Sequence, residues 1–161
     1  MNKKIGIITF HNSYNCGSML QAFALQQVIN RLTGRKSEIV DFSNEGQQKL
    51  YSVRQPNDSL KNVIKNIILA PWFKRIARNY ESYERFKKNN FRLSNFPIHK
   101  SADLSDADYD IVVAGSDQVW NITIEDGDDA YFLPWVKLAK KVAYAPSFGA
   151  KNIADFADDP I

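Results

Sequence analysis

The sequence predicts an α/β fold in which a parallel sheet is flanked by helices. Two short apolar, β-branched runs, Lys4–Phe10 and Tyr109–Ala114, are typical of strands that a parallel sheet buries on both faces. Between the first run and a further one at Ser37–Phe42, apolar residues recur at helical spacing over Met19–Leu32. The first 42 residues therefore indicate a strand, a helix and a strand, a unit whose strands lie parallel with a right-handed crossover.

Capping and breaking residues set the bounds of the predicted helices. Ser18 is a suitable N-cap for the first helix, and Gly34 is a suitable stop. Asp58 or Ser59 can cap a second helix, which Pro71 should end or kink. The remaining predicted segments are a loop at Ser43–Asn57, helices at Leu60–Leu69 and Trp72–Asn90, an irregular stretch at Phe91–Ala107, strands at Asp110–Ala114 and Lys140–Ala145, and a helix-like stretch at Lys151–Ile161.

Length and composition indicate one soluble globular domain. The chain has 161 residues, enough for one substantial core, and its 44% apolar and 24% charged content exclude a disordered chain. No run of about 20 apolar residues is present that would span a membrane. The single Cys16 cannot form an internal disulfide, which favours a cytoplasmic location.

Charge is distributed unevenly along the chain. Residues 60–100 contain ten Lys or Arg against two Glu, whereas residues 101–161 contain four Lys against twelve Asp or Glu. The simplest interpretation of the basic middle is a solvated helical face. The alternative is contact with phosphate, an anionic glycan or an acidic membrane surface. No nucleic-acid partner is predicted.

Three polar clusters follow three predicted strands. They are His11–Ser18, Gly115–Asn121 and Ala145–Gly149. Because the carboxyl ends of parallel strands meet at one edge of a sheet, we expect the three clusters to converge on a binding cleft. The first cluster lacks the spacing of a dinucleotide fingerprint and the Lys of a Walker loop, so a phosphate site has little support. Its alternative interpretation is a loop whose Asn and Ser side chains bond to their own turn.

The second cluster contains the best candidate for a general base. Asp117 follows a strand and is close to Trp120, where a carboxylate is placed to take a proton from a hydroxyl. Gln118 and Asn121 can each donate and accept hydrogen bonds, which suits sugar hydroxyls, and Trp120 can offer a flat face to a sugar ring. The structural alternative has Asp117 capping the next turn and Trp120 in the core.

His11, His99 and Cys16 do not form a metal site by their spacing, so neither a metal nor another cofactor is predicted. His11 is a possible proton donor, although a hydrogen-bonded structural role is the simpler interpretation. No base is indicated for Cys16, which we interpret as a small filler of its loop.

Taken together, three motifs resemble the polysaccharide pyruvyl transferase family. The first reads Ile5-Gly6-Ile7-Ile8-Thr9-Phe10 and continues as His11-Asn12-Ser13-Tyr14-Asn15-Cys16-Gly17-Ser18-Met19-Leu20-Gln21-Ala22; the others are Gly115-Ser116-Asp117-Gln118-Val119-Trp120-Asn121 and Tyr144-Ala145-Pro146-Ser147-Phe148-Gly149. Their order and spacing make the resemblance specific over nearly the whole chain. Cys16 is a departure, because an aromatic or aliphatic residue is expected there in relatives.

The resemblance implies a fold like that of the GT-B glycosyltransferases, with two Rossmann-like halves and a cleft between them. Residues 1–161 would form the amino-terminal, Rossmann-like half, and the carboxyl-terminal half would be absent. The implied reaction moves pyruvate from phosphoenolpyruvate onto two sugar hydroxyls as a ketal, in surface polysaccharide synthesis. The family's His and Arg residues for phosphoenolpyruvate lie in the other half, so the isolated half should be inactive.

On the acceptor side, the resemblance implies Asp117 as the base and a sugar or glycan as the bound partner. The candidate substrate-binding residues are Asn12, Asn15, Gly17, Ser18, Gly115, Ser116, Gln118, Trp120, Asn121 and Ser147. Two alternatives stay open: a glycosyltransferase domain of the same architecture, and a non-catalytic module that binds sugars or a partner protein.

Overall fold

The computed structural model describes residues 3–149. Four strands form one parallel sheet in the order β2-β1-β3-β4, which confirms the predicted α/β class. The elements in this range are β1 (Lys4–Ile8), α1 (Cys16–Thr33), β2 (Ser37–Ile39), α2 (Glu45–Leu50), α3 (Leu60–Leu69), α4 (Phe73–Asn90), β3 (Tyr109–Asp117) and β4 (Lys140–Pro146), with short 3₁₀ turns at Ala70–Trp72, Ser101–Asp103 and Asp129–Phe132.

The strand order creates a switch point between β1 and β3. The chain leaves β1 towards β2 on one side, and it later returns to place β3 on the other side. Connections that leave in opposite directions open a crevice at the carboxyl ends of the two central strands, where ligands bind in open α/β sheets. The crevice of this fold is therefore expected at the loops that follow Ile8 and Asp117.

Alternating side chains of the strands form two apolar layers. On one face of the sheet, Ile7 and Ile39 are fully buried and pack with Ala22 and Leu25 of α1. On the other face, Val112 and neighbouring apolar residues pack around the side chains of irregular segments. The ring of Tyr131 is central there, with centroids 5.0 Å from Phe10 and 5.7 Å from Phe42.

Several predicted boundaries were wrong. The N-cap of α1 is Asn15 rather than Ser18, because the Asn15 Oδ1 atom accepts from the Gly17 amide at 2.7 Å and starts the helix at Cys16. The first two strands end at Ile8 and Ile39 rather than at Phe10 and Phe42. Beyond Ile39, the backbone makes a local turn and a single bridge from Phe42 to Ile98 instead of continuing the ladder.

The segment that we expected to be a loop at 43–57 contains the short helix α2. Asn44 caps it by accepting from the Gln47 amide at 2.8 Å. The helix at Leu60–Leu69 is confirmed, and the Ser59 side chain caps it. Pro71 lies in the 3₁₀ turn between α3 and α4, as its missing amide donor favours. The helix predicted at 151–161 lies outside the described residues.

Within residues 3–149, no helix combines the length and the apolar character needed to cross a bilayer.

Candidate functional site

The three polar loops meet at the carboxyl edge of the sheet, as their positions after parallel strands predict. The Ser18 hydroxyl of α1 donates to the Asp117 Oδ2 atom at 2.7 Å. The Ser147 amide donates to the Asp117 carbonyl at 2.9 Å, and the Trp120 amide donates to the Ser147 carbonyl at 3.2 Å. Asp117 is thus in direct contact with both of the other loops.

A second set of bonds fixes the end of β3 against β1 and α1. The Ser116 hydroxyl donates to the Gln21 Oε1 atom at 2.6 Å, and the Gln21 amide donates to the Thr9 hydroxyl at 2.9 Å. Thr9 completes the ring by donating to the Ser116 carbonyl at 3.1 Å. The Ser116 side chain therefore helps to hold the end of β3 against α1.

The backbone at the end of β3 requires unusual conformations. Gly115 has φ +112°, and a Cβ atom there would lie 2.1 Å from the Tyr144 carbonyl oxygen, so β3 and β4 approach too closely for any side chain. Asp117 has φ 103°, a conformation that is strained for a residue with a Cβ atom. Its Oδ1 atom accepts from the Gln118 amide at 2.8 Å, which fixes the carboxylate in place. Such strain is characteristic of functional positions.

The other residues of the second cluster differ in accessibility. Gln118 is exposed, whereas Asn121 is buried and donates to the Gln118 Oε1 atom at 3.1 Å. The Trp120 ring stacks on Phe132, with centroids 5.6 Å apart and an interplanar angle of 10°. Its indole donates to the Tyr131 carbonyl at 3.1 Å. One face of Trp120 is therefore covered by a protein ring.

A second carboxylate, Asp126, lies near Asp117 and was missed by sequence reasoning. It is only 7% exposed. Burial raises the pKa of Asp126, and the negative charges of Asp117 and Glu125 raise it further. We call Ser18, Asp117 and Asp126 the β3-side cluster. A buried carboxyl group with a raised pKa beside a second carboxyl group is an arrangement suited to proton transfer.

Next to this cluster, a polar cavity of about 540 Å³ opens beyond the end of β2. Its lining residues come from the loops after β1 and β2, from α2 and its following turn, from α4, and from the segment before His99. We call it the β2-side cavity, and its lining includes Asn12, Tyr14, Asp41, Ser43, Gln47, Gln48, Tyr51, Tyr80, Glu84, Lys87 and His99. Of the predicted site residues, Asn12 lies in this wall.

Charged groups of the β2-side cavity are paired. His11 is fully buried and its Nε2 atom lies 2.9 Å from the Asp41 Oδ1 atom, which also accepts from the Asn12 amide at 3.1 Å. Lys87 donates to the Asn12 Oδ1 atom at 2.7 Å and forms an ion pair with Glu84 at 2.7 Å. Burial acts to raise the pKa of Asp41, but its bonds to His11 and Asn12 and the charge of Lys87 outweigh burial and lower it.

His11 therefore has a structural role, since both of its ring nitrogens face oxygen acceptors of the protein. The Nδ1 atom lies 3.2 Å from the Thr9 carbonyl. Tyr14 is also held, because its hydroxyl donates to Glu84, and burial raises the pKa of the Tyr14 phenol. Cys16 is exposed, with its Sγ atom 3.3 Å from the Tyr83 hydroxyl.

Gln47 leaves a polar atom of the cavity wall without a partner. The side chain is 1% exposed and donates to the Ser13 hydroxyl at 3.1 Å, but among the described residues no group hydrogen-bonds to its Oε1 atom. If the Gln47 side-chain amide were rotated by 180°, its Nε2 atom would be without a partner in place of its Oε1 atom. A buried acceptor without a donor is costly and is a natural contact for a ligand hydroxyl.

Ser13 connects the cavity to the β3-side cluster. Its hydroxyl accepts from Gln47, and Ser13 also acts to lower the pKa of the nearby Asp126 carboxyl. Burial raises the pKa of the Tyr51 phenol, and the charges of Asp126 and Asp117 raise it further. The two parts of the edge are thus electrostatically coupled neighbours.

Of the remaining predicted residues, the N-cap Asn15, Gly17 in the first turn of α1 and Ser147 are exposed, and Gly115 is buried in β3. No group of three or more His, Cys, Asp or Glu side chains within residues 3–149 is arranged to hold a metal ion.

Comparison with known proteins gives one family. The model of the family described as polysaccharide pyruvyl transferase matches residues 15–158, nearly the whole chain. Searches of curated proteins and of solved structures returned no significant match.

Proposed function

The chain belongs to the polysaccharide pyruvyl transferase family, and on this premise we propose that it is the acceptor-side domain of such an enzyme. In the proposed reaction, pyruvate moves from phosphoenolpyruvate onto two hydroxyls of a sugar as a ketal, in the synthesis of a surface polysaccharide. We assign the contacts to phosphoenolpyruvate to a second, carboxyl-terminal domain, and we place the reaction in the cytoplasm.

The observation that carries this proposal is the position of Asp117. It lies at the switch point of the sheet, half-buried, with one donor on each carboxylate oxygen: Ser18 at 2.7 Å and the Gln118 amide at 2.8 Å. Each oxygen keeps a lone pair for a further donor. A fixed carboxylate in a crevice is what deprotonation of a sugar hydroxyl requires.

The chemistry needs two such deprotonations. Two hydroxyl oxygens form bonds to the central carbon of phosphoenolpyruvate, and the bond from that carbon to the phosphate oxygen breaks. Of the two hydroxyl protons, one ends on the former methylene carbon, which becomes a methyl group, and the other leaves with phosphate. Asp117 is the proposed base, and the neighbouring Asp126, whose pKa is raised by burial, is a candidate to relay the proton.

The β2-side cavity supports a saccharide as the bound acceptor. Its wall offers amides, two carboxylates, phenols and an ammonium group, so both donors and acceptors are available to sugar hydroxyls. Lys87 is paired with Glu84 and bonded to Asn12, which leaves little free positive charge for a phosphate. We therefore propose that the acceptor sugar extends from Asp117 into this cavity.

Replacing Asp117 by Asn tests the proposal directly. With the complete gene product, phosphate release from phosphoenolpyruvate is measured against a panel of glycans. We expect Asp117→Asn to lower kcat by about 10²–10⁴-fold, the usual contribution of a general base, with the KM for phosphoenolpyruvate little changed.

Asp108→Asn is the matched control, because this exposed residue precedes the opposite end of the same strand. It should leave turnover within about twofold of wild type. Turnover by Asp117→Asn at the wild-type rate would remove the base role. Consumption of a nucleotide sugar without any glycan-dependent phosphate release would identify a glycosyltransferase instead, and glycan binding with neither reaction would identify a binding module.

A further inference from the structure

Helix α3 presents an apolar face to the outside of the described fold. Apolar residues recur along it at the spacing of one helical face, and every residue of α3 is exposed or half-buried. The most exposed of them and the tryptophan of the following turn are Leu60 at 78%, Ile64 at 49%, Ile67 at 68%, Ile68 at 62% and Trp72 at 52%. A contiguous apolar surface of this kind marks an interaction site.

The opposite side of α3 explains why the apolar face points outward. The Asn66 amide donates to the Gln55 carbonyl at 2.8 Å and accepts from the Gln55 amide at 3.1 Å, which fastens α3 to the segment before it. The Arg54 guanidinium lies 4.8 Å from the centroid of the Phe73 ring and holds the start of α4 to the same segment. The Asn66 contact uses the polar side of α3, and Ile64, Ile67 and Ile68 stay largely exposed.

The chain that carries the apolar face, α3 and the start of α4, is basic. Residues 60–78 contain five basic side chains and not one acidic residue. All five are exposed; they are Lys61, Lys65, Lys74, Arg75 and Arg78. Leu, Ile and Trp side chains on one face with Lys and Arg beside them are the composition of a helix that lies in a membrane interface.

We propose that α3 and the start of α4 bind the surface of an anionic phospholipid bilayer. At ten residues, α3 is about 15 Å long, so it lies in the interface plane and does not span. The apolar side chains would enter the boundary between headgroups and acyl chains, and the lysines and arginines would contact the phosphates. This surface is independent of the reaction proposed above.

A protein occupant fits the same surface less well. Interface cores are depleted in lysine, and a symmetric contact between two copies would bring Lys61 and Lys65 close to their own counterparts. An anionic bilayer instead neutralises all five charges at once. The charge pattern therefore favours lipid over a second copy or another domain.

Vesicle flotation tests the proposal. The complete gene product is mixed with vesicles of phosphatidylcholine alone or of phosphatidylcholine and phosphatidylglycerol in roughly equal parts. We expect binding to the anionic vesicles that high salt weakens, and about tenfold or more weaker binding to neutral ones. The double change Ile67→Ser and Ile68→Ser should reduce anionic binding by about tenfold or more.

Matched controls distinguish binding through this surface from nonspecific hydrophobic binding. Val28→Ser with Leu32→Ser removes exposed apolar side chains from α1, which are 47% and 75% exposed, and should not change binding. Lys61→Gln with Lys65→Gln should weaken anionic binding by about tenfold or more, whereas Lys140→Gln with Lys141→Gln on β4 should not. Trp72→Phe should abolish the blue shift of tryptophan emission on vesicle binding. Trp72 is exposed and would enter the bilayer interface, whereas the indoles of Trp120 and Trp135 are bonded to backbone carbonyls inside the fold and should not respond.

Three results would overturn the proposal. One is a wild-type protein that does not float with anionic vesicles. Another is equal loss of binding in the α1 and α3 variants. The third is self-association in solution that the isoleucine changes abolish while vesicle binding persists, because α3 would then be an interface between protein chains.

Discussion

The two halves of the carboxyl edge treat their carboxylates in opposite ways. In the β2-side cavity, Asp41 is bonded to His11 and Asn12, and these partners lower its pKa despite burial. In the β3-side cluster, burial and the charge of Asp117 raise the pKa of Asp126. One carboxylate is thus surrounded by donors, and the other is exposed to like charge.

This difference separates binding from chemistry. A surface of paired charges can form hydrogen bonds with a neutral polyol without changing its protonation. A buried carboxyl group whose pKa is raised, partly by a neighbouring carboxylate, is instead suited to proton transfer. Within the proposed function, we therefore assign acceptor affinity to the β2-side cavity and hydroxyl deprotonation to the β3-side cluster. Variants on either side test this division.

The largest effect on the cavity side is expected from Lys87→Met. The change removes the ammonium that bonds Asn12 at 2.7 Å and pairs with Glu84 at 2.7 Å. Loss of a charge-assisted bond is worth about 1.5–3 kcal/mol, so we expect the KM for the acceptor to rise about 10–100-fold. The rate at saturating acceptor should stay within about threefold, because the β3-side cluster is intact.

Lys88→Met is the control for that variant, since Lys88 is the next residue of α4 and is exposed. It should behave as wild type in steady-state kinetics. If Lys87→Met instead lowered kcat as strongly as Asp117→Asn, the division between binding and chemistry would be wrong.

A smaller effect is expected from Gln47→Leu, which removes the buried acceptor that has no partner in the described fold. The KM for the acceptor should rise about fivefold, the value of one hydrogen bond. The free energy of unfolding should change by less than about 1 kcal/mol, because the cost of the unpartnered oxygen disappears together with the bond to Ser13. Denaturant unfolding measures the second quantity, and Gln27→Leu on the exposed side of α1 is the control. Reduced stability without a change in KM would show that Gln47 is only structural.

Much of the fold was predictable from local signals. The parallel sheet followed from short apolar runs, and the convergence of the three loops followed from their position after those runs. The α3 helix was predicted with its bounds because a Ser cap and a proline enclose it. The placement of Asp117 at the switch point required only the strand order.

The β2-side cavity could not be predicted because its wall is assembled by tertiary contacts. Gln47 lies on a helix within a segment too polar for a helical pattern, and it donates to Ser13 of a loop 34 residues away in sequence. Lys87 was one of ten basic residues in the middle of the chain, and nothing local distinguishes it from Lys88. The error in the predicted N-cap of α1 has a similar cause. Ser18 has a side chain that can cap a helix, but its hydroxyl donates a hydrogen bond to the distant Asp117 instead.

The smallest predicted effect is a difference in the sign of pH dependence. The lowered pKa of Asp41 means that it stabilises the folded state above its ordinary pKa of 3.8 and loses that contribution as pH falls through the lowered value. The raised pKa of Asp126 means the reverse: between 3.8 and its raised value, the folded state binds more protons, so stability falls as pH rises. Unfolding free energies of wild type, Asp41→Asn and Asp126→Asn are therefore compared across acidic pH. The wild-type minus Asp41→Asn difference should increase with pH, and the wild-type minus Asp126→Asn difference should decrease. Two differences of the same sign would mean that both carboxylates experience the same environment, and the distinction between the two halves of the edge would be lost.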